Sequence, residues 1–458
     1  MKKLERRALL CLVLAGCLLA GLVLFVGLWA VRGEHWASSA FNRHLYNKQG
    51  ILMSGTVLDR NGEILTTVDE DGNRVYVGDK ARRTSTLHVV GDPYGNISTG
   101  ALSAFAQKLT GYNLIFGAFG AEQGGNNLYL TIDAHLNEVA YQALGGKKGT
   151  VAVYNYKTGE ILCLVSAPAY DPMNIPSDLE ENEKYEGAYL NRFLSSTFTP
   201  GSVFKTVTLA AALEEIPDLE SRTWTCEGST QIGEGVVTCI SAHGEQDIRE
   251  ALANSCNGVF GQLAVELGGD TLERYAEKAG LTSSYSINGI STAKGSFSFG
   301  DDVSTTDLAW AGVGQYHDSV NPCALMIYMG AIANGGKAAV PCLIQKVESQ
   351  GLPSLPQFTR KTKTLISSDT AETVAEMMMN NVQTAYGTKR FPNMELGAKS
   401  GTAEVGPEEK PHAWFTGFLK NEEAPYAFVV LVENGGSGAD VAGTVASKVL
   451  KAALEQVG

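Results

Sequence analysis

Hydrophobic and polar positions divide the chain into stretches of different period. The first is an uncharged apolar run, Ala8 to Val31, behind the basic segment MKKLERR. It is long enough to cross a bilayer as one helix, and longer than the apolar region of about 7 to 15 residues in a cleaved signal peptide. After a polar stretch, GTVLDRNGEILTTV alternates on both sides of Asn61-Gly62, which is a hairpin pattern. The chain to about Gly146 mixes such short strands with helical patterns such as TGALSAFAQKLTG. From Gly149, TVAVYNYKTGEILCLVSAPAYDP predicts two strands around a tight turn. TPGSVFKTVTLAAALEE then predicts an apolar helix, and DIREALANSCNGVFGQLAVEL and NPCALMIYMGAIANGG continue a mainly helical middle section. LGAKSGTAEV, HAWFTGFL and AFVVLVE return to strands, and a helix beginning near Ala439 closes the chain. Strands, many helices, strands and a last helix describe an α+β fold, a mixed sheet with a helical insertion. No repeat of about 20 to 50 residues is present, which excludes a solenoid.

Composition narrows the partners. The 458 residues, 44% hydrophobic and 19% charged, suffice for about two or three domains with full cores. Lys plus Arg number 36 against 49 Asp plus Glu, a net charge of −13. An acidic chain of this kind argues against nucleic acid as a partner, because phosphate binding needs a basic surface. Four basic residues, Lys2, Lys3, Arg6 and Arg7, precede the apolar run and few follow it closely. The positive-inside rule then expects a cytoplasmic amino terminus and an extracytoplasmic chain after Arg32. Of the cysteines outside the run, Cys226 and Cys239 in CEGSTQIGEGVVTC look like a local pair; outside the membrane a disulfide would close that loop, with two unpaired thiols as the alternative. Zinc held with His243 lacks a clear fourth ligand, so no metal is expected.

Three short motifs carry the candidate chemistry, each accompanied by decoys. Ser-x-x-Lys occurs at Ser202–Lys205 and again at Ser291–Lys294; Ser-x-Asn occurs at Ser255, Ser286 and Ser319. Lys-Thr-Gly stands at Lys157–Gly159, and Lys399–Gly401 reads Lys-Ser-Gly. Context separates them. Ser202 opens an apolar helix, so Ser202 and Lys205 lie one turn apart on one face. Ser291 sits among glycines with no helix to fix Lys294. Lys157, Thr158 and Gly159 are ordinary residues for the tip of a hairpin. AKSGTAEV reads instead as a strand whose Gly401 would let a substrate backbone approach, as an added strand does at a sheet edge. Ser255-Cys256-Asn257 falls at a junction between helical segments, where two polar side chains can face the first helix. His243, His317 and His412 read as structural or loop residues, Trp414 and Phe415 as sheet packing, and Glu404 as a surface residue.

Taken in order, these motifs are the combination found in penicillin-binding proteins and related β-lactamases. With VLDRNGEIL, SAPAYDP, TPGSVFK, CNGVFGQLA, GVGQ, AIANGG, AKSGTAE and HAWFTGF, the chain resembles a class B penicillin-binding protein, a monofunctional peptidoglycan D,D-transpeptidase. The resemblance implies a short cytoplasmic tail (1–7), a transmembrane anchor (8–31), a short pedestal or dimerisation-like module (32–148), and a catalytic domain of the penicilloyl-serine transferase fold (149–458). It implies Ser202 as nucleophile, Lys205 as base, and Ser255 and Asn257 as their partners. Lys399, Ser400, Gly401 and Thr402 would bind the substrate carboxylate, with the amides of Ser202 and Thr402 as oxyanion donors. It also implies stem peptides and lipid II-derived strands as substrates, β-lactams as covalent inhibitors, a SEDS-type glycosyltransferase as partner, and no cofactor. A D,D-carboxypeptidase, a membrane-bound β-lactamase or antibiotic receptor, and a non-catalytic scaffold are the competing readings. A receptor would need a cytoplasmic signalling segment, and a scaffold would have lost a motif member.

Overall fold

The computed structural model describes residues 2–37, 45–111, 125–299, 303–349 and 358–456. The pedestal segments 38–44 and 112–124 lie outside the described residues. Lys2–Ala37 forms one continuous helix. It is the only described helix long and apolar enough to cross a membrane. Side chains such as Leu9, Leu18 and Phe25 stand exposed along it, as lipid-facing residues do.

The pedestal begins with β1 (Thr56–Leu58), β2 (Ile64–Val68) and β3 (Arg74–Tyr76), and continues with β4 (Asn127–Leu130). β1 and β2 form the hairpin expected at Asn61-Gly62, with Leu58 opposite Ile64. Asp59 ties the turn by accepting from the amides of Asn61 (2.8 Å) and Glu63 (2.9 Å). The TGALSAFAQKLTG segment forms two short helical pieces, Ala101–Ala104 and Ala106–Leu109.

β5 (Gly149–Asn155) and β6 (Ile161–Ala167) open the larger body. Its middle section carries the hairpin strands β7 (Trp224–Cys226), β8 (Ser229–Ile232), β9 (Gly235–Thr238) and β10 (Gly244–Gln246). A small hairpin of β11 (Ser286–Ile287) and β12 (Ile290–Ser291) follows, then β13 (Ile344–Glu348). β14 (Leu396–Ala403), β15 (His412–Leu419) and β16 (Tyr426–Val432) complete the central sheet, whose order is β14-β15-β16-β5-β6. All its pairings are antiparallel. The mixed sheet expected from the sequence is instead the pedestal's, where β1 and β4 run parallel.

The central strands read as continuous apolar runs because both faces are covered. Val151 and Val153 of β5 pack with Leu136 and Leu450 of the helices Ala134–Leu144 and Gly443–Glu455. Ala152 and Tyr154, one residue out of phase, join the cluster built around the buried helix Pro322–Ala333. A period of two with apolar residues on both faces leaves no polar alternation to see. β14 and β6 are the two edge strands, and β14 packs against the turn Gly201–Val203 that precedes the helix Lys205–Glu215.

Two features join the part of the chain before Gly149 to the larger body that follows it. β13 crosses over to pair with β4, so the pedestal sheet has the order β13-β4-β1-β2-β3 and includes a strand from far beyond residue 149. Arg83 also makes a two-pronged bond to Asp171 of the SAPAYDP segment, Nε to Oδ1 at 2.7 Å and Nη2 to Oδ2 at 2.8 Å. Both side chains are largely buried. Asp171→Ala leaves the guanidinium without its partner and is expected to lower stability by about 3 kcal/mol, read as a lower urea midpoint. A change under about 1 kcal/mol would mean that the pair behaves like an exposed one.

Candidate active site

Ser202 sits in a tight 3-10 turn, Gly201–Val203, just ahead of the helix Lys205–Glu215. The turn is gripped from three sides. On β14, a Cβ on Gly401 would stand 3.0 Å from the Pro200 oxygen and 3.0 Å from Val203 Cγ1. Gly401 therefore seats the serine turn against the strand. From the opposite side, Gly201 donates its amide to the Gly314 oxygen at 2.8 Å. Gly314 has φ +81°, and a Cβ there would strike the Gly201 oxygen at 2.0 Å. Trp414 is fully buried and donates Nε1–H to the Thr199 oxygen at 2.9 Å, which fixes the approach to the turn.

Lys205 is fully buried, with its amine surrounded by acceptors. Nζ lies 3.0 Å from Ser202 Oγ, 2.7 Å from the Ser255 carbonyl, 3.1 Å from Ser255 Oγ and 2.7 Å from Asn257 Oδ1. Ser255 reaches it from the break between helices Ile248–Ala253 and Asn257–Leu267, where its φ of +54° is unusual for a residue with a side chain. That backbone turns both oxygens of Ser255 inward. Lys399, also fully buried, donates to the same Ser255 Oγ at 3.0 Å and to the Ser400 carbonyl at 2.9 Å. One hydroxyl thus stands between two amines. Burial pulls Lys205 down to about 7. Burial, and then the charge of Lys205, hold Lys399 well below the ordinary lysine range.

The free edge of β14 faces the cleft. Ser400 donates its amide to Tyr386 Oη at 2.8 Å, away from β15, and its Oγ is bonded to the same phenol at 3.1 Å. Thr402 lies two residues on, so its amide points off the same edge. Its carbonyl accepts from Gln315 Nε2 at 3.4 Å. Ser202, Ser255, Asn257, Ser400 and Thr402 line one cleft together with Trp310 and Gln315. Tyr386 and Trp310 were not legible as site residues, because each arrives from a segment without a motif; Gln315 ends the GVGQ segment, but its place in the cleft was not legible.

The decoys lie elsewhere. Ser291 and Lys294 are exposed on or beside the β11–β12 hairpin. Lys157 and Thr158 are exposed at the β5–β6 turn, with both amides on Asn155 Oδ1. His412 accepts from the Asn434 amide and packs edge-on against Phe198, His317 is exposed against Tyr316, and Phe415 is buried in β15. Glu404 is exposed at the rim of the cleft.

The disulfide between Cys226 and Cys239 is not formed; both are free thiols. Hairpin pairing draws them instead toward His243 and Cys256, with all four ligand atoms within 4.8 Å of one another. Cys256 is the middle residue of the Ser-x-Asn motif, and it is the fourth group that the sequence did not reveal.

A serine on a clamped turn, an apolar helix carrying its lysine, and a second lysine on the edge of an antiparallel sheet define an active-site-serine acyltransferase. The penicillin binding protein transpeptidase domain family matches residues 149–455, and the chain belongs to that family. With its amino-terminal apolar helix it is a class B penicillin-binding protein. It is 29% identical over 387 residues to peptidoglycan D,D-transpeptidase PbpA of Mycobacterium tuberculosis, which covers 77% of this chain and 78% of that one. Among solved structures, the D,D-transpeptidase domain of a peptidoglycan glycosyltransferase from Eggerthella lenta superposes with a TM-score of 0.76 at 28% identity, covering 88% of this chain and 99% of the other. Penicillin-binding protein A of M. tuberculosis, as its penicillin G acyl-enzyme, gives a TM-score of 0.76 at 26% identity, covering 88% and 99%.

Proposed function

We propose that the protein cross-links peptidoglycan stem peptides through an acyl-enzyme on Ser202, and that penicillin acylates the same oxygen. The observation that carries this reading is the buried Lys205 amine, 3.0 Å from Ser202 Oγ and pulled down to about 7. Neutral Lys205 takes the hydroxyl proton as Oγ attacks the carbonyl carbon of the penultimate D-alanine. The amides of Ser202 and Thr402 receive the oxyanion. The bond to the terminal D-alanine breaks, and its nitrogen collects the proton through the Ser255 hydroxyl. An amine from a neighbouring stem then attacks the ester and restores Ser202. Lys399, Ser400 and Thr402 hold the carboxylate of the departing D-alanine. The D-alanine exchange assay tests this: a pentapeptide thioester or stem donor with labelled D-alanine is expected to incorporate label, whereas release with only water as acceptor would make the protein a carboxypeptidase.

The pH dependence follows from the lysine. A pKa lowered from the ordinary range to about 7 makes Lys205 neutral above that value and protonated below it. The penicilloylation rate is therefore expected to rise with pH through about 7 and level off, measured by stopped-flow with a reporter cephalosporin. A flat profile from about pH 6 to 9 would remove Lys205 as the base.

The basic tail supports a cytoplasmic amino terminus and an extracytoplasmic catalytic body. There the enzyme would act on lipid II-derived strands beside a SEDS-type glycosyltransferase, contacted through anchor and pedestal. Reporter fusions at the two termini test the orientation.

A further inference from the structure

We propose that Cys226, Cys239, His243 and Cys256 form a tetrahedral zinc site that builds one wall of the catalytic cleft. Three of the ligands come from a compact knuckle of hairpins. Cys226 ends β7, Cys239 follows β9 and His243 precedes β10. The backbone registers them: Gly244 pairs with Cys226, the His243 amide donates to the Cys226 oxygen at 3.0 Å, and the Cys239 amide donates to the Gly228 oxygen at 2.9 Å. Cys256 comes from the main body, at the cap of helix Asn257–Leu267.

The geometry suits a metal better than a covalent bond. All four ligand atoms lie within 4.8 Å of one another, and Cys239 Sγ is 3.8 Å from Cys256 Sγ. Two sulfurs each about 2.3 Å from one tetrahedral zinc stand about 3.8 Å apart. A disulfide would require about 2.0 Å. His243 Nδ1 is buried without a hydrogen-bond partner among the described residues, an orphan that a closed site would account for. Three thiolates and an imidazole select zinc over magnesium or calcium, and four protein ligands leave no open position for chemistry. The Asn257 amide donates to Cys239 Sγ at 3.2 Å, the outer-sphere contact that orients a bound thiolate.

The site would act on catalysis by position. Asn257 is held by its amide to Cys239 Sγ and by Nδ2 to the Thr238 oxygen at 2.7 Å, while its Oδ1 accepts from Lys205. Clamping Cys239 to Cys256 through a metal fixes Thr238 and Asn257, and through them the Lys205 amine. This consequence rests on the acyl-transfer reading; the metal site itself does not.

The test uses the full chain, solubilised in detergent and purified under reducing conditions. Mass-spectrometric metal analysis is expected to find about one zinc per chain, and Cys226→Ser and His243→Ala each to hold far less. Because those variants can misfold, chelator-stripped wild type is also titrated with cobalt(II), and the intense thiolate charge-transfer and visible bands of a tetrahedral cobalt site are expected. Stripping is expected to slow penicillin acylation roughly tenfold or more, and zinc to restore it. A wild-type protein without zinc and without those cobalt bands, or one with a Cys239–Cys256 disulfide by peptide mass, overturns the site. Zinc bound with acylation indifferent to its removal overturns the positioning role. Zinc bound with no acylation at any metal load strikes the acyl-transfer reading and leaves the metal site standing.

Discussion

Ser202→Ala is expected to abolish both penicillin labelling and D-alanine exchange while leaving the fold intact. Removing a covalent nucleophile lowers turnover on the order of 10⁶-fold, well below detection by labelling. The fold is expected to survive because Ser202 is only half-buried and contributes one bond to Lys205. The amine keeps the Ser255 carbonyl, Ser255 Oγ and Asn257 Oδ1. Losing one hydrogen bond of this kind changes stability by about 1 kcal/mol. An unchanged melting curve with no label is the expected pair of results. Label that persists in a folded Ser202→Ala protein would place the nucleophile elsewhere.

Lys205→Met is the second large effect. Methionine fills the buried space without an amine, so Ser202 keeps its place and loses its base. General-base removal is expected to slow acylation by about 10³-fold, and the rise through about pH 7 is expected to disappear with it. Asn257 Oδ1 and the Ser255 carbonyl are left without a donor, which costs about 1–3 kcal/mol. The removed burden of burying an amine offsets part of that. A variant that acylates slowly but keeps the same pH profile would assign the proton transfer to Lys399 through Ser255 Oγ, the other route the geometry offers.

The two predictions draw on different depths of the sequence. The spacing of Ser202 and Lys205 on an apolar helix, and the later arrival of Lys399 on a small-residue strand, were visible because helix and strand periods fix which side chains share a face. The left-handed backbone of Ser255, which turns its oxygens toward both lysines, leaves no mark in a propensity pattern. Gly401 was visible as a strand glycine, but its contact with the serine turn was not, because that contact exists only once β14 and the turn are packed. Tyr386 reaches the edge of β14 from the helical turn Val382–Tyr386 and Gln315 from a loop, and β13 joins a sheet more than 200 residues earlier in the chain. Such long-range pairings carry no local signal. Cys256 illustrates the same limit, since it read as the spacer of a motif until the hairpins of 224–246 folded back upon it.

The central claim is that one hydroxyl, Ser202 Oγ, is the acceptor of the acyl group. Intact-mass analysis of the full chain after benzylpenicillin treatment, followed by peptide mapping, addresses it directly. The expected result is a persistent single penicilloyl adduct confined to the peptide that contains Ser202. An adduct on the peptide containing Ser291, or no adduct on a folded sample, would contradict it.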